Sequence, residues 1–303
     1  MPAENKYVSI VMCTYNGAVY LQEQLDSILN QTYAIQEIVI VDDASADQTK
    51  DIILSNAKKH SIIKYFFNEQ NIGFTKNFEK ALTLASNEYI AIADQDDYWV
   101  NTKIEKMMSS WNTESPLMYC DSIHFRGNIP DTFIANKKNR KIAGSNPFQL
   151  SMYNTISGHA MIVKKSFLSK VLPIPATVFY DWWMAIVASC NGGILFVPEI
   201  LVLQRAHDNN VTIQNLTENQ LLINYKKRLT AHLNAFTKII NLSPPQQDYF
   251  NRLEVLWLNN KEGKFNLKLF LFLMKYREDI YHYKIRKIGF ISHFKNSFKF
   301  ANN

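Results

Sequence analysis

Asp94, Asp96 and Asp97 place three carboxylates within four positions, directly after the apolar run Tyr89-Ile90-Ala91-Ile92-Ala93 and before Tyr98 and Trp99. Crowded carboxylates raise one another's pKa, and a bound divalent cation removes that cost. Hard cations take oxygen ligands of this kind, so the cluster is a candidate site for a divalent cation. An acidic loop tip in water is the commoner fate of clustered Asp. It gives no reason, however, for a buried run to end on the acids with two aromatics behind them. A further acid, Asp181, opens the apolar, tryptophan-rich stretch Asp181-Trp182-Trp183-Met184. It reads as a helix N-cap. The same apolar surroundings suit a general base, because desolvation raises a carboxylate pKa toward the working range.

Such acids need a frame. Apolar runs at 7–12, 37–41, 62–67 and 89–93 read as buried strands. Helical spacing falls between them, at Leu21, Leu25 and Ile28 and again at Phe78, Ala81 and Leu82. Strands alternating with helices give an α/β fold with a mostly parallel central sheet flanked by helices. Ligands of such sheets gather beyond the carboxyl ends of the strands. Three stretches stand there: Thr14-Tyr15-Asn16-Gly17, Asp42-Asp43-Ala44-Ser45 and Asp94-Gln95-Asp96-Asp97. Ser45 or Asp47 is expected to cap the helix that follows the second strand. Asp43 can accept the imide N–H of a pyrimidine, and Tyr15 can stack on its face, although each taken singly is an ordinary turn residue. Neither Gly-x-Gly-x-x-Gly nor Gly-x-x-x-x-Gly-Lys occurs, so a nucleotide bound here is held by another route.

Composition sets the wider limits. At 303 residues, 47% hydrophobic and 20% charged, the chain is globular, with room for one large domain and an appendage. Cys13, Cys120 and Cys190 lie far apart in apolar surroundings and suit a reducing compartment. No signal-peptide pattern is read at the N-terminus, and the longest apolar run near the end, 269–274, is far short of a spanning helix. The expected location is cytoplasmic. Of the formal charge of +6, residues 261–303 carry ten Lys or Arg against three acids, a net of +7, so the preceding residues are close to neutral. Basic residues interleaved with aromatics over 267–300 suit peripheral contact with anionic lipid on the inner face of a membrane. A helical cap packed on the rest of the protein explains the same pattern, and nucleic acid does not, since no binding fold for it accompanies the charge.

Taken together and in order, these stretches resemble a family. Val8–Asn16, Ile38–Ser45, Asn71–Phe78 and Asp94–Trp99 resemble the nucleotide-sugar half of inverting family-2 glycosyltransferases of the GT-A fold. The last two are most similar to its rhamnosyltransferase-like bacterial subgroup. The resemblance implies a nucleotide-diphosphate sugar, UDP- or dTDP-linked, and a glycan or lipid-linked glycan acceptor in surface polysaccharide synthesis. It implies that Asp43 reads the base with Thr14, Tyr15 and Asn16 beside it, and that Lys76 and Asn77 lie near the diphosphate or the base. Asp94 and Asp96, with Gln95 between them, form its Asp-x-Asp motif, and the resemblance implies that Asp96 or Asp97 holds Mn²⁺ or Mg²⁺ between the donor phosphates. Thr155–Met161, with Gly158 and His159, resembles the family's turn beside the donor sugar. Asp181 matches the catalytic base, with Trp182 next to it. Leu203–Asn210 resembles a closing loop in which Arg205 meets phosphate and His207 completes the metal shell.

The expected division is a catalytic region over 1–215 and a helical, basic and aromatic region over 216–303. Phe125–Asn146, polar and poorly periodic, reads as a mobile loop over the site or an acceptor-facing excursion. Two rivals remain. A module of the same fold that binds nucleotide sugar without turnover would not need Asp181. An aspartyl-nucleophile phosphatase would need Asp-x-Asp-x-Thr after the first strand, where this chain has Cys13-Thr14-Tyr15.

Overall fold

Four strands with helices between them open the chain: β1 (Val8–Thr14), α1 (Leu21–Leu29), β2 (Glu37–Asp42), α2 (Thr49–Lys59), β3 (Ile63–Phe67), α3 (Phe74–Leu84) and β4 (Tyr89–Ala93). Then follow β5 (Tyr98–Trp99), α4 (Lys103–Ser110), β6 (Leu117–Phe125), β7 (Met161–Lys164), α5 (Leu168–Val171), α6 (Tyr180–Cys190) and β8 (Ile194–Arg205). Five helices complete it: α7 (Glu218–Phe236), α8 (Pro244–Leu258), α9 (Leu267–Lys275), α10 (Arg277–Ile280) and α11 (Gly289–Ala301). The computed structural model describes residues 6–111, 114–134, 139–207, 217–261 and 263–302. Asp208–Asn210 of the expected closing loop, and 135–138 of the expected excursion, therefore lie outside the described residues.

All eight strands form one sheet in the order β3-β2-β1-β4-β7-β6-β8-β5. β2 is buried along its whole length and β1 almost so, because helices cover both faces of this half, which is why their sequences run apolar without alternation. β1 pairs in parallel with β2 and β4, with Thr14 opposite Asp42 and Met12 opposite Ala93. Thr14, Asp42 and Asp94 thus leave the sheet at one edge. At the opposite edge the buried Glu37 ties three strands together, accepting from Ser9 Oγ at 2.6 Å, Lys64 Nζ at 2.6 Å and Ser86 N at 2.7 Å.

The second half of the sheet is mixed. β7 runs antiparallel to both β4 and β6. Its start therefore lies beside the end of β4, bringing Gly158–Ala160 next to Asp94. β8 runs parallel to β6 through a register shift at Cys120–Ser122 and antiparallel to β5, with Leu203 opposite Tyr98. It runs unbroken to Arg205, and this carries its end to the acidic turn.

The C-terminal helices share the main core. Leu229, Leu233, Phe236, Tyr249 and Phe250 are buried in the same cluster as Val11, Ile92 and the whole inner face of α6. Pro244 and Pro245 open α8, since proline's fixed φ and missing N–H suit a first helical turn. The cap expected at Ser45 or Asp47 is also different. Gln48 precedes α2 without a side-chain cap. Ser45 Oγ instead accepts from Asn16 N, and Asp47 accepts from Thr49. No described helix is long and apolar enough to cross a membrane.

Candidate active site

The carboxyl ends of β1, β2 and β4, the turn before β7 and the start of α6 enclose a cleft of about 750 Å³. Of the residues singled out from the sequence, Thr14, Tyr15, Asn16, Asp43, Asn77, Asp94, Gln95, Asp96, Gly158, His159, Asp181 and His207 line it. Local bonds fix their directions. The Gln95 side chain clamps the backbone of Tyr15, accepting from its N–H at 2.9 Å and donating to its carbonyl at 3.1 Å. A Cβ on Gly17 would stand 2.2 Å from Gln95 Oε1, so only glycine permits that clamp. Asp43 accepts from Ile72 N, Gly73 N and Asn68 Nδ2, leaving acceptor capacity on Oδ2, which has only the Gly73 bond. Asn77 donates to the carbonyl of Val41 and receives Asn68, joining α3 to the end of β2.

The acidic turn is built as two carboxylate–imidazole pairs around Asp94. On the cleft side His207 Nε2 lies 2.8 Å from Asp96 Oδ2, with its ring 4.9 Å from that of Tyr20. On the buried side His159 Nδ1 lies 3.3 Å from Asp94 and 3.2 Å from Asp97. Burial pushes the Asp97 carboxyl up to about 7, with Asp94 and Asp96 adding to the rise against the pull of His159. Burial also raises Asp96, reinforced by Asp94 and opposed by His207. His159 is raised as well: burial favours its neutral ring, but Asp97 and Asp94 outweigh it.

This donor set fits a hard divalent cation. Ligand atoms of Asp94, Asp97 and His159 lie within 4.8 Å of one another, and Asp97 Oδ2 and His159 Nε2 are buried without a hydrogen-bond partner. The cation would also relieve the repulsion that raises these carboxyls.

Asp181 lines the same cleft from the start of α6. It is not the N-cap expected from the sequence: Phe179 holds that position and Asp181 sits in the first turn, where its Oδ1 accepts its neighbour's N–H, that of Trp182, at 2.7 Å. Burial lifts its carboxyl to about 6, Asp94 adding to the rise and the Trp182 N–H opposing it. A carboxyl so placed is ionised near neutrality and still basic enough to take a proton.

Three expected site residues turn elsewhere, and a fourth, Asp97, reaches the cation site only from behind the cleft wall. Lys76 Nζ pairs with Glu79 at 3.0 Å and lies 3.5 Å from the carbonyl of Ile174, outside the cleft. Trp182 is buried, donating to the carbonyl of Leu150 and stacking on His232 at 4.2 Å. Arg205 is buried between the rings of Tyr20 and Phe125, bonded to Glu23 and the carbonyl of Gly127. A guanidinium held by two rings, a carboxylate and a carbonyl is not free for phosphate. Asp97 lies behind the cleft wall, 1% exposed, accepting from Arg205 N.

Other residues escaped the sequence reading. Phe74 and Phe179 form an aromatic pair at the cleft wall, ring centroids 5.8 Å apart, with Asn154 nearby on the lining. Lys103 is fully buried under the acidic turn, donating to the carbonyl of His159 at 2.7 Å, with its Nζ 3.3 Å from the ring centre of Trp99. Burial lowers it to about 7 against the pull of Asp97 and Asp94. The signal for Lys103 was a lysine in register with the apolar stripe Ile104, Met107 and Met108 of α4.

Gly158 offers a direct check of this packing. A Cβ there would stand 2.0 Å from the hydroxyl oxygen of Tyr180, whose buried ring rests 4.3 Å from that of Phe78. Gly158→Ala is expected to cost about 1–3 kcal/mol of stability through overpacking. By moving Tyr180 it also displaces the adjacent Asp181. A melting temperature equal to wild type would show that the close approach does not exist.

Known proteins similar to this chain share one family and one fold. The model of glycosyl transferase family 2 matches residues 9–172. A Haemophilus influenzae protein described as an uncharacterized glycosyltransferase is 28% identical over 260 residues, 77% of each chain. The putative teichuronic acid biosynthesis glycosyltransferase TuaG of Bacillus subtilis is 36% identical over 33% of this chain and 40% of its own. The Escherichia coli UDP-Glc:alpha-D-GlcNAc-diphosphoundecaprenol beta-1,3-glucosyltransferase WfaP is 41% identical over 35% of this chain and 42% of its own. The matches to TuaG and WfaP thus span less than half of those proteins. Among solved structures, S. aureus TarS 1-349 with UDP-GlcNAc superposes with a TM-score of 0.62 at 16% identity, covering 90% of this chain and 81% of that one. The mannosyltransferase PcManGT from Pyrobaculum calidifontis, with GDP-Man and Mn²⁺, gives 0.59 at 17% identity over 82% and 69%. The shared fold is the GT-A fold of glycosyltransferases.

Proposed function

Because the chain belongs to glycosyl transferase family 2, we propose that it is a metal-dependent, inverting enzyme of bacterial surface polysaccharide synthesis. It moves a sugar from a nucleoside-diphosphate donor to a hydroxyl of a glycan acceptor. One observation carries this reading: a single cleft is lined both by Asp94, Asp96 and His207 and by Asp181. The donor would lie across the ends of β1 and β2, its base against Tyr15 and Asp43 and its diphosphate toward Asp94 and Asp96.

Asp94 would hold Mn²⁺ or Mg²⁺ together with Asp97 and His159 on its buried side, and Asp96 with its partner His207 would complete the shell from the cleft side. What a cation supplies there is neutralisation of the charge that grows on the departing diphosphate. Asp181 takes the proton of the acceptor hydroxyl, whose oxygen bonds to the anomeric carbon as the bond from that carbon to the diphosphate breaks. Attack from the face opposite the leaving group inverts the centre, so no covalent sugar–enzyme intermediate is needed. Residues 1–215 would carry this chemistry and 216–303 would support it. WfaP's named acceptor is a diphosphoundecaprenol-linked sugar, and a lipid-linked glycan reached at the inner face of the membrane is the acceptor we favour here.

The test is thermal stabilisation by a panel of uridine-, thymidine- and guanosine-linked sugars with Mn²⁺. A ligand at 100 times its Kd adds about 2.7 kcal/mol of stability, so one donor class should raise the melting temperature well above the others. No shift with any nucleotide sugar would sink the proposal.

A further inference from the structure

The C-terminal helices expose a surface that the cleft does not use. α9 buries Leu269, Phe272 and Leu273, while Leu267 and Leu271 face out at 57% and 56% exposure. One edge of this outer stripe borders a groove of about 510 Å³ between α8 and α9. It is lined by Val255, Leu256, Leu271 and Phe272 together with Arg252, Lys268 and Lys275. The other edge meets α11 through aromatic contacts: Phe270 to Phe294 at 5.2 Å and Phe265 to Phe298 at 5.2 Å. On α11 itself Phe290, Ile291, Phe294 and Phe298 are all about half exposed.

The surface is thus one apolar and aromatic strip, set with lysines. Monomeric proteins rarely leave so much contiguous apolar surface to water. Lys264, Lys268, Lys275, Lys287, Lys295 and Lys299 are exposed on or beside it. The acids of the same segment offset little of this charge. Glu278 pairs with Arg277 at 3.3 Å and Asp279 accepts from Asn146. Six of the segment's ten basic side chains, all lysines, are thus exposed on or beside the apolar strip, on a chain whose first 260 residues are near neutral.

We infer that this face of α8, α9 and α11 is the surface on which the protein docks to an acidic phospholipid bilayer. The exposed Leu and Phe side chains enter the headgroup–acyl boundary, the lysines meet lipid phosphates, and the groove between α8 and α9 receives part of one lipid. Charge complementarity selects this occupant: a second copy of the chain would set lysine against lysine, whereas an anionic leaflet offers opposite charge across the whole strip. Apolar insertion and phosphate attraction together give reversible attachment of a chain that has no crossing helix among its described residues. The inference deepens the proposed reaction by seating the enzyme where a lipid-linked acceptor lies.

The full chain is to be co-sedimented with vesicles of phosphatidylglycerol and phosphatidylcholine and with vesicles of phosphatidylcholine alone. Binding is expected to the anionic vesicles, weakening as salt rises. Each basic residue near such a surface is worth about 1 kcal/mol, a factor of about 5. Lys268→Gln with Lys275→Gln should therefore weaken binding about 25-fold, and Leu271→Asp should weaken it on both sides of that salt series. These positions are exposed, and an unchanged melting temperature would confirm that the fold is intact.

Equal binding to neutral vesicles, or binding indifferent to these substitutions, would overturn the inference. So would a dimer in light scattering that Leu271→Asp dissociates while vesicles go unbound. Transfer to a soluble acceptor without vesicles should be unaffected by the variants. For the unaltered chain, absence of vesicle binding with transfer intact speaks against the docking face alone, and absence of transfer with vesicle binding intact against the reaction alone.

Discussion

Asp181→Asn is expected to slow sugar transfer by about 10²–10⁴ while leaving the fold and nucleotide-sugar binding nearly unchanged. General base catalysis is worth that factor, and Asn is close to Asp in shape but cannot take a proton. The structural part of the side chain survives, since Oδ1 of Asn can still accept the Trp182 N–H that Asp181 accepts at 2.7 Å. Phe179, not Asp181, is the N-cap of α6, so capping is not at stake. The pH profile gives an independent check. Burial holds the Asp181 carboxyl near 6, above its ordinary value. Below that pH the group is protonated and cannot act as a base, so the rate should rise from pH 5 to 7 and then level. The Asn variant should lack this acid limb. Turnover near wild type in the variant, at saturating donor, would remove Asp181 from the mechanism.

Chelation is expected to abolish transfer, and Asp96→Ala to weaken both Mn²⁺ and donor binding by at least about 100-fold. Even groups that only support metal ligands are worth about 10–100-fold in affinity, and Asp96 lies on the cleft side, 2.8 Å from His207. Its effect should be separable from that of Asp97. Burial and Asp94 raise the Asp96 carboxyl, so removing it relieves repulsion and should not lower the melting temperature of the metal-free protein. Asp97, 1% exposed, accepts from Arg205 N and faces His159. Asp97→Ala should unsettle the end of β8 and lower stability by about 1–3 kcal/mol, the usual cost of orphaning buried polar partners. Calorimetric Mn²⁺ titration with parallel melting curves reads both. Full activity in excess EDTA would sink the metal assignment.

The open strand-end turns show where a residue-by-residue reading stops. Asn16 at φ 48 takes the left-handed region readily, its side chain accepting from Ala46 N. Ala44 adopts φ 62 in the turn after β2 without any such bond of its own. Nothing in an Ala-Ser dipeptide announces that strain; it is held by Asp42, which accepts both the N–H and the hydroxyl of Ser45. Lys76 shows the same limit. Its place on α3 follows from the spacing of Phe74, Phe78, Ala81 and Leu82, but its direction is fixed by Glu79, one turn ahead, and by the carbonyl of Ile174, far off in sequence.

By itself the sequence determined the first half of the sheet and the acids at its edge. β1, β2 and β4 are short apolar runs buried on both faces, each followed at once by its polar turn, and parallel pairing through helical crossovers brings those turns to one side. All of that is local pattern plus one handedness rule. Only the tertiary structure decided that β7 runs antiparallel beside β4, and hence that Gly158 and His159 meet Asp94. It alone decided that β8 runs on to Arg205, setting His207 against Asp96 and burying the Arg205 guanidinium between Tyr20 and Phe125. Lys103 belongs with these: a lysine in an apolar stripe becomes a buried cation under the acidic turn because Trp99 and the carbonyl of His159, four and 56 positions away, converge on it. Strand direction and side-chain partners of this kind depend on contacts far apart in the chain, and no local period records them.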